Sequence, residues 1–114
     1  MATTYYSEKC SEFRARFAEY PDITTFESDD ENGGQFDGSI YRNKIEWLQI
    51  YEAEPGNWMV FINNPESPLD KNGCPIQDGP QWVFGYYDSF KRALRKMESI
   101  VRRGKYPKPI EINE

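Results

Sequence analysis

No histidine occurs among the 114 residues. That absence removes Ser-His-Asp and Cys-His activation of a nucleophile, and with them the commonest general base near neutral pH. It also removes the usual ligands of catalytic zinc. Cysteine is scarce. Cys10 and Cys74 lie far apart and form no CxxC motif, so the expectation is two free thiols in a reducing compartment. No apolar run approaches the roughly 18–20 residues that span a bilayer. The opening MATTYYSEK carries no apolar stretch of the kind a signal peptide needs. The expected location is therefore cytoplasmic, with no membrane partner. Phosphate loops of the GxxxxGKS/T or GxGxxG type are missing, and Gly33-Gly34 follows no apolar strand and opens no helix. The 19 carboxylates make chance pairs unavoidable, so they single out no two-carboxylate hydrolase. Together these absences favour a protein that is not an enzyme and holds no cofactor.

What is present is aromatic and charged. Seven Phe, eight Tyr and three Trp give large buried area per residue, enough for one hydrophobic core in a single domain spanning 1–114. Net charge is −5 and unevenly spread. Residues 1–57 hold 12 acidic and 5 basic side chains, hence −7; residues 58–114 hold 7 and 9, hence +2. This asymmetry keeps the chain soluble, or offers its two ends to different partners or to each other across a homodimer.

One stretch stands out from the acidic background, the basic segment from Tyr86 to Lys105. Asp88 and Ser89 suit the N-cap of a helix, since their side-chain oxygens accept from free first-turn amides. Gly104 suits its C-terminal stop, being free to take positive φ. Arg102 and Arg103 in the last turn complement the negative end of the helix dipole. Phe90, Ala93, Leu94, Met97, Ile100 and Val101 recur at helical spacing and form an apolar face. Lys91, Arg92, Arg95, Lys96, Arg102 and Arg103 fall on the opposite arc and are the candidate partner-binding residues. The competing account is a merely solvated charged face.

Ser7 to Tyr20 is expected to be a first helix, with Tyr6, Cys10, Phe13, Phe17 and Tyr20 on one face, Thr4 or Ser7 as cap and Pro21 as stop. Ile23 to Phe26 suits a short strand. The acidic stretch 27–38, ESDDENGGQFDG, is expected to be a mobile loop. It fails as an EF-hand: with Asp30 first, Gly34 holds the fifth ligand position, and with Asp29 first, Gly33 does, so no metal site is expected. Ile45 to Ala53 and Trp58 to Asn63 are β-branched and aromatic strands joined by the turn Pro55-Gly56-Asn57. A helix from Ser39 to Ala53 is the rival for the first of them. The loop 64–80 contains four prolines and two glycines. Gln81 to Tyr87 gives a third strand, and the tail 106–114 is expected to be extended. Alternation puts Val83, Gly85 and Tyr87 on one sheet face and Trp82, Phe84 and Tyr86 on the other. Neither face is polar, so the two helices are expected to cover one face each, or else to leave an aromatic face for a partner.

The segment from Gly56 to Ile62, followed by Gly85-Tyr86-Tyr87-Asp88-Ser89 and Ala93, resembles the core of AP2-type and phage-integrase arm domains over about half the chain. That resemblance implies a three-stranded sheet backed by a helix, with the sheet reading the DNA major groove. Such sheets carry Arg and Lys, whereas strands 45–53, 58–63 and 81–87 here carry none.

The resulting expectation is an α+β fold: a small antiparallel sheet of three or four strands, with an N-terminal helix and a basic amphipathic C-terminal helix packed on it. Its expected role is a non-enzymatic protein-binding adaptor or regulator, acting through aromatic surface, the loop 64–80 and the basic helix face. A nucleic-acid-binding module is the alternative, disfavoured by a pI of about 4.8 where such domains exceed about 9.

Overall fold

Two tight hairpins set the sheet. Asn43 and Lys44 both take positive φ, +53° and +66°, the twist that a two-residue hairpin needs. Gly56 takes φ +79° after Pro55, where a side chain would be strained. The computed structural model describes residues 3–28, 36–63, 65–72, 76–77 and 79–113. Its elements in order are α1 (Thr3–Phe17), β1 (Ile23–Ser28), β2 (Asp37–Arg42), β3 (Ile45–Glu54), β4 (Asn57–Asn63), β5 (Gln81–Tyr87), α2 (Phe90–Arg103) and β6 (Glu111–Asn113). The six strands form one antiparallel sheet in the order β1 to β6.

The α+β class holds, but the sheet has six strands rather than three or four. The missed strands have a physical explanation. In β2, Phe36, Gly38 and Ile40 lie on one side, and glycine sits where a large apolar residue would have shown the period. A Cβ on Gly38 would lie 2.9 Å from Phe36 Cε1 and 3.0 Å from Phe13 Cε2. The glycine is required because two rings meet above it. The acidic stretch 27–38 is therefore much shorter as a connection than expected. Glu27 and Ser28 belong to β1, while Asp37 and Gly38 belong to β2. Phe36 is fully buried against Phe13, Trp58 and Phe90, with ring centroids 5.2–6.1 Å apart. Its centre, 29–35, lies outside the described residues. The tail is likewise more than an extended end. Tyr106 stacks between Trp47 and Phe84 and donates its hydroxyl proton to the Trp47 carbonyl. Ile110 N–H then donates to Val83 O at 2.8 Å, and β6 adds to β5 as an edge strand. The first helix starts earlier than expected, at Thr3, and stops at Phe17.

Both helices lie on the same side of the sheet, not one on each side. Phe13, Phe17 and Cys10 of α1 share a core with Ile40, Leu48, Ile50, Trp58, Val60, Ile62 and Phe84, and with the six apolar residues of α2. Bulges explain why strict alternation misassigned β5. The ladder shifts between Val60 and Phe61, so that Phe84 is an extra residue. Trp82, Phe84, Gly85 and Tyr87 thus turn toward the helices, while Val83 and Tyr86 turn away. A second shift, between Ile40 and Tyr41, turns Trp47 to the helix side, where Arg42 lies over its ring at 5.0 Å and reaches Val101 O. The face opposite the helices carries Phe26, Asp37, Ser39, Tyr41, Glu46, Gln49, Tyr51, Met59, Phe61, Val83, Tyr86 and Glu111 by register. No helix among the described residues is long and apolar enough to cross a membrane.

Candidate functional site

α2 is fixed at both ends and along its inner face. The Ser89 hydroxyl oxygen accepts from Arg92 N–H at 3.2 Å, as an N-cap does. Gly104, at φ +71°, donates its N–H to Ile100 O and Val101 O at 3.1 Å. Phe90, Ala93, Leu94, Met97, Ile100 and Val101 are all buried, as their spacing predicts. With that face anchored, Lys91, Arg92, Arg95, Arg102 and Arg103 are exposed and Lys96 is half-buried. The six candidate cations thus share one rigid surface, although they differ in what holds them.

Glu98, the one carboxylate of α2, is turned away to the first helix. It accepts from Arg16 Nη1 at 3.3 Å, from the Tyr20 hydroxyl at 3.0 Å and from Arg102 Nη2 at 3.4 Å. Arg102 Nε also donates to the Tyr20 hydroxyl oxygen at 3.3 Å. Arg102 is therefore partly a strut between α2 and Tyr20 in the turn after α1. Nothing in the local sequence signals this, because Arg16 and Tyr20 come from the other end of the chain. Arg92 lies 3.6 Å from Asp88, an exposed pair of small energetic weight. The side chains of Lys91, Arg95, Lys96 and Arg103 make no ion pair or hydrogen bond with any described residue. Arg95, Glu98, Ser99, Arg102 and Arg103 line a shallow recess on this face.

The helix dipole distinguishes two groups of cations. Arg102 and Arg103 sit in the last turn, where positive charge is favourable. Lys91 and Arg92 sit in the first turn, which contains no acidic residue. There the helix end is itself positive, so each cation costs roughly 0.3–1 kcal/mol where a carboxylate would gain as much. The helix dipole favours neither side chain, and Arg92 has only its exposed pair with Asp88 to offset it.

The other expected contributors look different. Among the described residues, only Phe26 and Tyr86 are large aromatic side chains counted as exposed, so most of the aromatic content is core. In the loop after β4, buried Ser67 accepts from Ile76 N–H at 3.2 Å and Gln77 N–H at 2.9 Å, while Leu69 and Ile76 are exposed. On the open sheet face, burial pushes the carboxyls of Asp37 and Glu46 up. The Tyr41 hydroxyl donates to Glu46 at 3.3 Å, and Gln49 Oε1 has no partner. These groups include no nucleophile with an adjacent base. No group of three or more cysteine or carboxylate ligands is arranged for a metal among the described residues. Cys10 is buried in the core, and Cys74 lies outside the described residues. Comparison with protein-family models, with curated proteins and with solved structures found no match.

Proposed function

We propose that this chain is a non-enzymatic binding module whose outer α2 face docks an acidic surface of another protein. The observation that carries the reading is the first turn of α2. Lys91 and Arg92 stand where the helix dipole disfavours them, on a helix capped and buried well enough to hold them in place. An acidic docking partner would account for cations placed against their own helix dipole. Arg95, Lys96 and Arg103 extend the same surface, and Glu98 does not dilute it, because its carboxylate is occupied by Arg16, Tyr20 and Arg102.

Nucleic acid is the competing polyanion. The sheet route that the AP2-type likeness implies gains no support, because by register the face away from the helices carries no Lys or Arg among the described residues and does carry Asp37, Glu46 and Glu111. The helix route offers about four unpaired cations, which corresponds to a log-log salt slope near −3.6 and to non-specific affinities of about 10⁻⁴–10⁻⁶ M. The test is capture of partners from native lysate, with and without nuclease, using the wild type and a Lys91→Glu, Arg95→Glu, Arg103→Gln variant. Arg102 is left intact because it holds Tyr20, after α1, to α2. The expected result is a nuclease-resistant protein partner lost in the variant. A nanomolar duplex or single-stranded complex at physiological salt, measured by fluorescence anisotropy and abolished by the variant, would replace this reading with nucleic-acid binding.

A further inference from the structure

The two edges of the sheet are built differently. β6 is a short edge of three residues that follows Pro107 and Pro109, features that discourage further strand pairing. β1 is six residues long, ITTFES, without proline or lysine, and no ladder shift interrupts its pairing with β2. Its one charge, Glu27, is engaged by Arg14 of α1. Natural sheets protect an edge of this kind or use it.

The hydrogen-bond phase of this edge, which no other described strand pairs, follows from one contact. Ile23 N–H donates to Tyr20 O at 3.0 Å, so it does not point to β2. Groups along an antiparallel strand alternate in the side they serve. Thr24 and Phe26 therefore bond Tyr41 and Ser39, while Thr25 and Glu27 present N–H and C=O outward, as does the Ile23 carbonyl. The side chain of Phe26 lies on the face away from the helices and is 59% exposed.

We propose that β1 pairs with β1 of a second copy of this chain, antiparallel, about a two-fold axis at Thr25. In that register Thr25 exchanges both backbone bonds with its own copy. Glu27 N–H donates to the Ile23 carbonyl of the second copy, and the symmetric bond forms in return. Phe26 stands opposite Thr24 and diagonal to the other Phe26, within reach of an aromatic ring. The same rotation thus pairs the backbone and covers the exposed ring, which is the self-complementarity an isologous interface requires. Glu27 faces Ile23, so no like charges stand opposite each other. One strand pair is a small interface beside the roughly 1,200–2,000 Å² of a stable one, so the expected dimer is weak. α2 packs over β3, β4 and β5, away from this edge, so its basic face stays open in both copies.

The test is sedimentation velocity and light scattering from about 1 µM to 1 mM. Thr25→Pro removes an outward donor and spares the bonds to β2. Phe26→Lys places a charge on the edge instead, and covers the case in which the proline variant fails to fold. The wild type is expected to dimerise across this range. A folded Thr25→Pro variant and Phe26→Lys are expected to weaken the dimer at least about tenfold with unchanged circular dichroism. A wild type that stays monomeric throughout, or a dimer that survives these substitutions, overturns the proposal.

Discussion

Replacing Lys91 by Glu should make this protein more stable. Lys91 is exposed in the first turn of α2, a turn without any acidic residue. Its reversal removes one unfavourable charge–dipole interaction and adds one favourable one, each roughly 0.3–1 kcal/mol, so about 0.6–2 kcal/mol in all. The new carboxylate would also face Arg95 one turn on, worth roughly 0.3–0.5 kcal/mol for an i, i+4 pair. Exposed Asp88 subtracts a similar amount, because two carboxylates would then flank the cap. For a domain of this size 1 kcal/mol corresponds to about 4 °C in Tm, so the expected rise is roughly 2–8 °C at low salt. Lys91→Gln should give about half of it.

The assay is thermal unfolding by circular dichroism at low ionic strength and again near 1 M salt, where the Debye length falls to about 3 Å and the gain should shrink. The intrinsic helix propensities of Lys, Glu and Gln are close, so they do not mimic the effect. An unchanged or lower Tm at low salt would refute the argument. So would a gain that survives high salt, since it would not come from the dipole. In that event Lys91 would be ordinary surface charge, and the observation supporting the docking face would be lost.

Two further outcomes follow from the sheet. Gly38→Ala should destabilise by about 1–3 kcal/mol, as overpacking does, because the added methyl meets the Phe13 and Phe36 rings at 3.0 Å or less; chemical denaturation measures it. Asp37 and Glu46 have carboxyls raised by burial, so the fold prefers them neutral. Their contribution is full below the usual carboxylate range near pH 4 and is lost as pH rises through the raised folded values. Asp37→Asn and Glu46→Gln should therefore raise Tm at pH 7, with a gain that vanishes near pH 3.

The chain is legible where a local rule acts alone. The apolar face of α2 and its Ser89 and Gly104 ends are visible in the sequence because caps and helical spacing are short-range. The β3–β4 hairpin announces itself through Pro55-Gly56. What escaped is whatever depends on partners distant in sequence. Gly38 suggests a loop until Phe13 and Phe36 are seen to meet above it. Phe84 and Trp47 change sides because ladder shifts add a residue, and no residue type marks those shifts. The tail becomes a strand only because Tyr106 finds a slot between Trp47 and Phe84. The six cations were legible as a group. The division between Arg102 as a brace and Lys91, Arg95, Lys96 and Arg103 as unpaired charges was not, since Arg16 and Tyr20 create it from the far end of the chain.

The same folding changes how the net charge of −5 bears on function. Along the chain, acid and base divide by halves. In three dimensions the open side of the sheet carries Asp37, Glu46 and Glu111 without Lys or Arg among the described residues, while the helix side mixes the α2 cations with carboxylates such as Glu27, Glu52 and Glu98. The smallest extent of the molecule is 25 Å, about three times the Debye length of about 8 Å at physiological salt. A charged surface approaching the outer face of α2 therefore meets its cations first, with little repulsion from the open side of the sheet. An acidic total does not by itself deny that face to a polyanion. Choice between an acidic protein and a nucleic acid falls to local contacts. A phosphate backbone rewards several cations along a curved track, yet the outer face of one fourteen-residue helix, about 21 Å long, reaches only a few phosphates. A carboxylate cluster on a protein needs only a few cations, and Lys91, Arg95 and Arg103 supply them beside a recess whose one carboxylate, Glu98, is already held by Arg16, Tyr20 and Arg102.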